Sequence, residues 1–178
     1  SGLEAAICQQ AARGCIIFGI CGGYQMLGTS IRDPQGVEAA GVTEVKGMGL
    51  LPIDTVFQGE KVQQQTGGVF GEIPGVLHSL SGLPYIGYEI HMGRSQQKLA
   101  PLVNQGNVYG SYIHGIFDGE GITQAVIRDL AAKKGIDLGK LDAFDPERYK
   151  QEQYDKLADA VRGGLDMEFI YKVLNREV

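Results

Sequence analysis

Cys15-Ile16-Ile17-Phe18-Gly19-Ile20-Cys21-Gly22-Gly23-Tyr24-Gln25 is the stretch on which the fold of this chain turns. Residues 15–20 form a continuous apolar run, as expected of a strand buried on both faces. Gly22 and Gly23 follow at once, and residues 22–28 read as a turn into a short helix. A strand that runs straight into a helix needs small residues at the junction. It also holds the residue at the apex, Cys21, on tight backbone with its side chain projecting at the top of the sheet. Upstream, Leu3–Ala12 shows helical spacing of apolar positions, and Gly14 stands where a left-handed cap ends a helix. Helix, buried strand, sharp turn and helix predict an α/β fold with a mostly parallel central sheet. A sheet that starts with a helix leading into this strand has lost at least one earlier strand, so we expect it to be N-terminally incomplete.

Downstream, residues 36–112 are poor in helical periodicity. Strands are expected at Ile53–Phe57, Lys61–Thr66, Tyr85–His91, Leu102–Asn104 and Asn107–Ile113, with a hairpin turn at Gln105-Gly106. Ile122–Lys134 reads as a helix ended by Gly135. Asp145–Leu174 reads as helices broken at Gly163-Gly164. We take 1–178 as one domain and 140–178 as its C-terminal helical extension, packing on the core or on a partner.

Composition narrows the function. The 178 residues carry 16 basic and 21 acidic side chains, a net charge of −5, which argues against a nucleic-acid partner. No apolar run approaches the roughly 20 residues of a membrane span, so no membrane partner is expected. Glycine, 27 of 178, is about twice its usual frequency, which implies tight turns or close backbone approach. The three cysteines, Cys8, Cys15 and Cys21, have neither disulfide nor zinc spacing. The reading is therefore a reducing, cytoplasmic setting with no metal site, and with Cys8 and Cys15 as small core hydrophobes.

Cys21 is different. The helix that begins at Gly22 directs N–H groups and a positive dipole end at its sulfur, which predicts a lowered thiol pKa. The Gly22 N–H is also placed to hold a developing oxyanion. A thiolate nucleophile needs a proton shuttle, and the chain offers His78, His91 and His114. His114 and His91 both end apolar strands, where α/β proteins line their ligand crevice, and spacing alone does not choose between them. His78 lies in a loop bounded by Pro and Gly and is expected to be exposed.

Gly19-Ile20-Cys21-Gly22-Gly23-Tyr24-Gln25 resembles the Gly-x-Cys-x-Gly-x-Gln elbow of class I glutamine amidotransferases. With Tyr88-Glu89-Ile90-His91-x-Gly93, Tyr112-Ile113-His114-Gly115-x-Phe117-Asp118 and Tyr154-Asp155-x-Leu157-Ala158-Asp159, the chain looks like the C-terminal amidotransferase domain of the cobyric acid synthases, a flavodoxin-like fold. The resemblance implies a glutaminase half-reaction. Cys21 would attack the side-chain amide of glutamine, giving a thioester and ammonia. His114 would protonate the leaving ammonia and then activate water. Gly22, Gly23 and Gln25 would bind the substrate. It further implies a separate N-terminal synthetase domain that uses ATP and Mg²⁺ to amidate adenosylcobyrinic acid a,c-diamide in cobalamin biosynthesis. No Gly-x-x-x-x-Gly-Lys-Ser/Thr occurs here, so no cofactor is expected in this domain.

Two departures stand out. His114 is followed by Gly115-Ile116 where most class I enzymes have Pro-Glu, which leaves a Cys–His dyad; Asp118 and Glu89 are the acids to examine as substitutes. The family's upstream oxyanion loop would precede residue 1, and one missing oxyanion donor costs about 10²–10³ in rate. Glu89 and His91 form a polar pair in an apolar strand, expected at the rim of the ammonia exit or at the synthetase interface. The competing readings are a catalytically silent assembly domain, a hydrolase that passes on no ammonia, and a glutaminase subunit acting on a cell-wall precursor. An exposed edge strand would invite pairing across a homodimer.

Overall fold

The computed structural model describes residues 2–38, 41, 43–95, 100–119, 121–139 and 146–177. The chain divides into two compact units, Ser1–Gly139 and Lys140–Val178.

In the first unit, helix α1 spans Leu3–Ala12, as its apolar spacing predicts, and Gly14 follows with φ +80°. Strand β1 is Ile17–Ile20 and the elbow helix α2 is Gly22–Leu27. Short strands β2 (Ser30–Arg32) and β3 (Glu44–Lys46) come next, then two long ones, β4 (Asp54–Val69) and β5 (Pro84–Ser95). A 3-10 turn, His78–Leu80, lies between the long strands. The hairpin β6 (Val103–Gln105) and β7 (Val108–Ser111) turns at Gly106 with φ +61°, and helix α3 is Ile122–Lys133.

These strands make two mixed sheets, ordered β1-β7-β6 and β3-β2-β4-β5. The α/β class holds, but each sheet contains a single parallel pair, β1–β7 and β2–β4, so the expectation of a mostly parallel sheet is corrected. The reason is local. The short turn at Gly106 and the segment between β4 and β5 return the chain antiparallel to itself, and parallel neighbours need longer crossovers. The two strands expected at residues 53–66 are one strand. An irregularity between Phe57 and Val62 interrupts its pairing with β5 without ending it.

The β1–β7 pair is covered on both faces, as its apolar run predicts. Alternate residues Ile17, Val108 and Tyr112 pack with Ala11, Tyr24, Leu27, Leu51 and Ile53. Their neighbours Phe18, Tyr109 and Ile113 pack with Phe70, Leu77, Leu80, Ile116 and Ile122. Cys15 precedes the strand proper and is exposed, its thiol donating to Gln10 at 3.3 Å, whereas Cys8 is half-buried. The reading of Cys15 as a core residue is therefore corrected.

The second unit holds α4 (Pro146–Gly164) and α5 (Met167–Leu174). The break between them falls directly after Gly163 and Gly164, as expected. The new helix starts at Asp166, whose side chain accepts the Phe169 N–H at 3.0 Å as an N-cap. Asp145 and the start of the 140–178 extension fall outside the described residues.

Candidate active site

Cys21 sits at the junction of β1 and α2 with φ 51° and ψ −112°. Among the described residues only Arg176 shares a positive φ without being glycine. Such backbone costs a non-glycine residue about 1–3 kcal/mol and persists only where its surroundings enforce it. They do so here from both sides. The Cys21 N–H donates to the Ser111 carbonyl at 2.9 Å, extending the β1–β7 ladder, and the Cys21 carbonyl accepts the Gln25 N–H at 3.1 Å, starting the helix. A Cβ on Gly19 would stand 2.8 Å from the Gly23 backbone, so only glycine at 19 lets the helix fold back this closely.

Strand β5 brings the rest of the site together. Tyr88 and His114 form an isolated β-bridge, with N–H to carbonyl distances of 3.1 and 2.8 Å, and their rings stack at 5.0 Å and 8°. Two residues on, the Ile90 carbonyl accepts the Cys21 thiol at 3.7 Å. Residues two apart in a strand are about 7 Å apart, so a short piece of β5 spans from one member of the expected dyad to the other. The Nε2 atom of His114 is buried and has no hydrogen-bond partner. The thiol is therefore hydrogen-bonded to the main chain of β5, and a Cys21–His114 hydrogen bond is not formed.

Burial raises the Cys21 thiol pKa, and a hydrogen bond from the Gly22 N–H lowers it by less. The expectation of a lowered pKa is corrected: the six-residue helix supplies its N–H, but desolvation of the sulfur outweighs it. Alkylation by iodoacetamide is accordingly expected to be slow at pH 7 and to reach half its maximum above the midpoint of a model cysteine peptide. A midpoint below that of the peptide would contradict the burial argument. Because the folded pKa is the higher one, this thiol's contribution to stability is complete below the unfolded-chain value. It is lost as pH rises through the folded value.

The other expected site residues are placed as follows. Gly22 is exposed and Gly23 half-buried. Gln25 is buried, its amide lying against Gly93, where a Cβ would come within 2.5 Å of Nε2. Asp118 is exposed and its N–H turns back to the Gly115 carbonyl at 2.9 Å. Glu89 and His91 are buried and bonded to each other at 3.4 Å. Among the described residues neither Asp118 nor Glu89 hydrogen-bonds to His114. His78 is exposed, as expected, with Nδ1 3.8 Å from Asp129. Sequence reasoning missed Tyr112 and Ser95. Tyr112 stacks on His91 at 3.9 Å and meets Tyr24 edge-on at 5.0 Å, and its hydroxyl lies 2.8 Å from Ser95 Oγ. Burial, the neighbouring Tyr112 and, in opposition, a hydrogen bond with Ser95 leave the Tyr24 pKa raised to about 12. The aromatic content of Tyr112-Ile113-His114 was the available signal.

Residues 1–122, which span the elbow, β5 and His114, match the CobB/CobQ-like glutamine amidotransferase domain family. The chain belongs to that family. This amidotransferase domain is 47% identical to the cobyric acid synthase of Lachnoclostridium phytofermentans, a match covering 100% of the chain and 39% of the relative. It is 42% identical to that of Ruminiclostridium cellulolyticum, covering 100% and 38%, and 41% identical to that of Clostridium kluyveri, covering 98% and 37%. The amidotransferase domain thus spans under two fifths of the length of these curated relatives. A crystal structure of a glutamine amidotransferase aligns with 74% of the chain and 69% of its own length, with a TM-score of 0.43 and 19% identity. No helix among the described residues is long and apolar enough to cross a membrane.

Proposed function

We propose that this domain carries out the glutaminase half-reaction of a cobyric acid synthase in cobalamin biosynthesis. One observation carries the reading: the strained Cys21 elbow and His114 are anchored two residues apart on the same strand. In the reaction, His114 Nε2 takes the Cys21 thiol proton as the sulfur adds to the side-chain carbonyl carbon of glutamine, with the Gly22 N–H facing the developing oxyanion. His114 Nε2, which has no competing partner, delivers the proton with which the C–N bond breaks and ammonia leaves. The same nitrogen then takes a proton from water as it attacks the thioester, releasing glutamate and restoring the thiol. Gly23 and Gln25 complete the glutamine pocket.

The ammonia would pass to a separate N-terminal synthetase domain, which amidates carboxylates of adenosylcobyrinic acid a,c-diamide using ATP and Mg²⁺. The length of the relatives beyond this match supports such a domain. A cytoplasmic location follows from the chemistry of a free thiol nucleophile.

A second reading, an assembly domain without turnover, is favoured by the thiol's bond to the Ile90 carbonyl and by its raised pKa. Diazo-oxo-norleucine, a glutamine-like electrophile, separates the two. Intact-mass analysis is expected to find one adduct on the chain and none on Cys21→Ala. No adduct on the unmodified chain would overturn the glutaminase reading and leave the assembly domain.

A further inference from the structure

Glu89 and His91 occupy consecutive inward positions of β5, on either side of Ile90, whose carbonyl holds the Cys21 thiol. Their side chains are only 11% and 4% exposed. His91 Nδ1 lies 2.7 Å from the Gly93 carbonyl oxygen. A carbonyl can only accept, so Nδ1 carries a hydrogen. Nε2 lies 3.4 Å from Glu89 Oε2, which also accepts from Gln64 Nε2 at 3.4 Å. With Glu89 ionised, a neutral ring would turn a bare lone pair towards the buried carboxylate, two acceptors facing each other out of water. Among the described residues His91 is the one basic group within ion-pair distance of Glu89, and a buried carboxylate without a partner is very costly. The opposite side of the ring lies on the π face of Tyr112, where a cation is favoured.

We infer that His91 carries both ring hydrogens, and that with Glu89 it forms a buried imidazolium–carboxylate pair that positions the two reacting groups. The inference rests on the glutaminase reading. The pair fixes β5 on both sides of the thiol's acceptor. Through the stacked Tyr112, two residues before His114, it also holds the segment that presents the proton shuttle. Among the described residues no second ion pair reaches it. The groups facing it are Gln64 of β4, Tyr112 after β7, Ser95 at the end of β5 and, edge-on to Tyr112, Tyr24 of α2. Glu89, Tyr112, Ser95, Tyr24 and Gln64 also line a cavity of about 160 Å³, so hydroxyls and an amide stand beside the carboxylate.

The test begins with ring-¹⁵N histidine labelling of the chain and NMR at pH 7. His91 is expected with both nitrogens protonated, and in Glu89→Gln as a neutral ring with its hydrogen on Nδ1. A neutral His91 in the unsubstituted chain would overturn the pair. The second arm is the rate of diazo-oxo-norleucine labelling at Cys21 across pH. Glu89→Gln and His91→Gln are each expected to slow labelling about 10²-fold, the scale of a small misplacement of reacting groups. Glu89→Asp should restore much of the rate. The double variant is expected to be no slower than the slower single one, because the two act as a unit. If Glu89→Gln stays folded and labels at the unsubstituted rate, the positioning role fails while the glutaminase reading stands. Absence of labelling in the unsubstituted chain overturns that reading and the positioning role with it, and the NMR arm still decides the pair.

Discussion

Cys21→Ala and Cys21→Gly are both expected to abolish glutamine hydrolysis, with the glycine variant the more stable protein. Loss of a catalytic nucleophile costs on the order of 10⁶ in kcat, so either variant should fall to background. Stability separates them. With φ 51° and ψ −112°, residue 21 is held where a Cβ is strained, and alanine keeps that strain whereas glycine releases it. Relief of about 1–3 kcal/mol, less the roughly 0.5–1 kcal/mol that glycine loses in backbone freedom, leaves about 1 kcal/mol in favour of glycine. For a chain of this size that is about 2–4 °C in Tm. Thermal unfolding of the three proteins checks it. An alanine variant as stable as the glycine one would mean that the elbow is not strained, and hydrolysis surviving in either would remove Cys21 from the chemistry.

Gly87→Ala is the second large effect. Gly87 pairs with Thr66 in the β4–β5 ladder, and its open side faces the His114 carbonyl. An added Cβ would overlap that oxygen and come within 2.5 Å of Ile113 Cγ2. Backbone cannot yield as a flexible side chain does, so β5 and the 113–114 segment must part and the Tyr88–His114 bridge must lengthen. Overpacking of this kind costs about 1–3 kcal/mol. A displacement of about 1 Å at His114, the proposed proton shuttle, adds a loss of about 10² in kcat. Gly71→Ala is the control, since that position has open space and no positive φ. Unfolding midpoints and glutaminase rates of the two variants are the measurement. Equal behaviour would show that β5 does not hold His114.

Much of the fold was legible because it depends on neighbouring residues. The helix at Leu3–Ala12, the apolar strand, the glycine elbow and the helix from Ile122 to Lys133 each carry their own periodicity and stop signals. The short strands Ser30–Arg32 and Glu44–Lys46 were not legible. Three half-buried or exposed residues show no alternation, and those two strands exist because they pair with each other and, for Ser30–Arg32, with the long strand from Asp54. The join of two expected strands into Asp54–Val69 was hidden for a similar reason. The intervening Gln58-Gly59-Glu60 looks like a break, yet the facing β5 carries the pairing past it.

For the site, the sequence alone singled out the candidates by position: a cysteine at a glycine-lined strand-to-helix junction and a histidine at the end of another strand. It did so because an elbow requires small residues at set positions. Only the tertiary structure decided which groups meet. It placed the thiol on the Ile90 carbonyl, left His114 Nε2 unpaired and joined Glu89 to His91. It also reversed the expected direction of the Cys21 pKa, because desolvation depends on everything packed around the sulfur, while the helix N-terminus that opposes it is a property of the local chain.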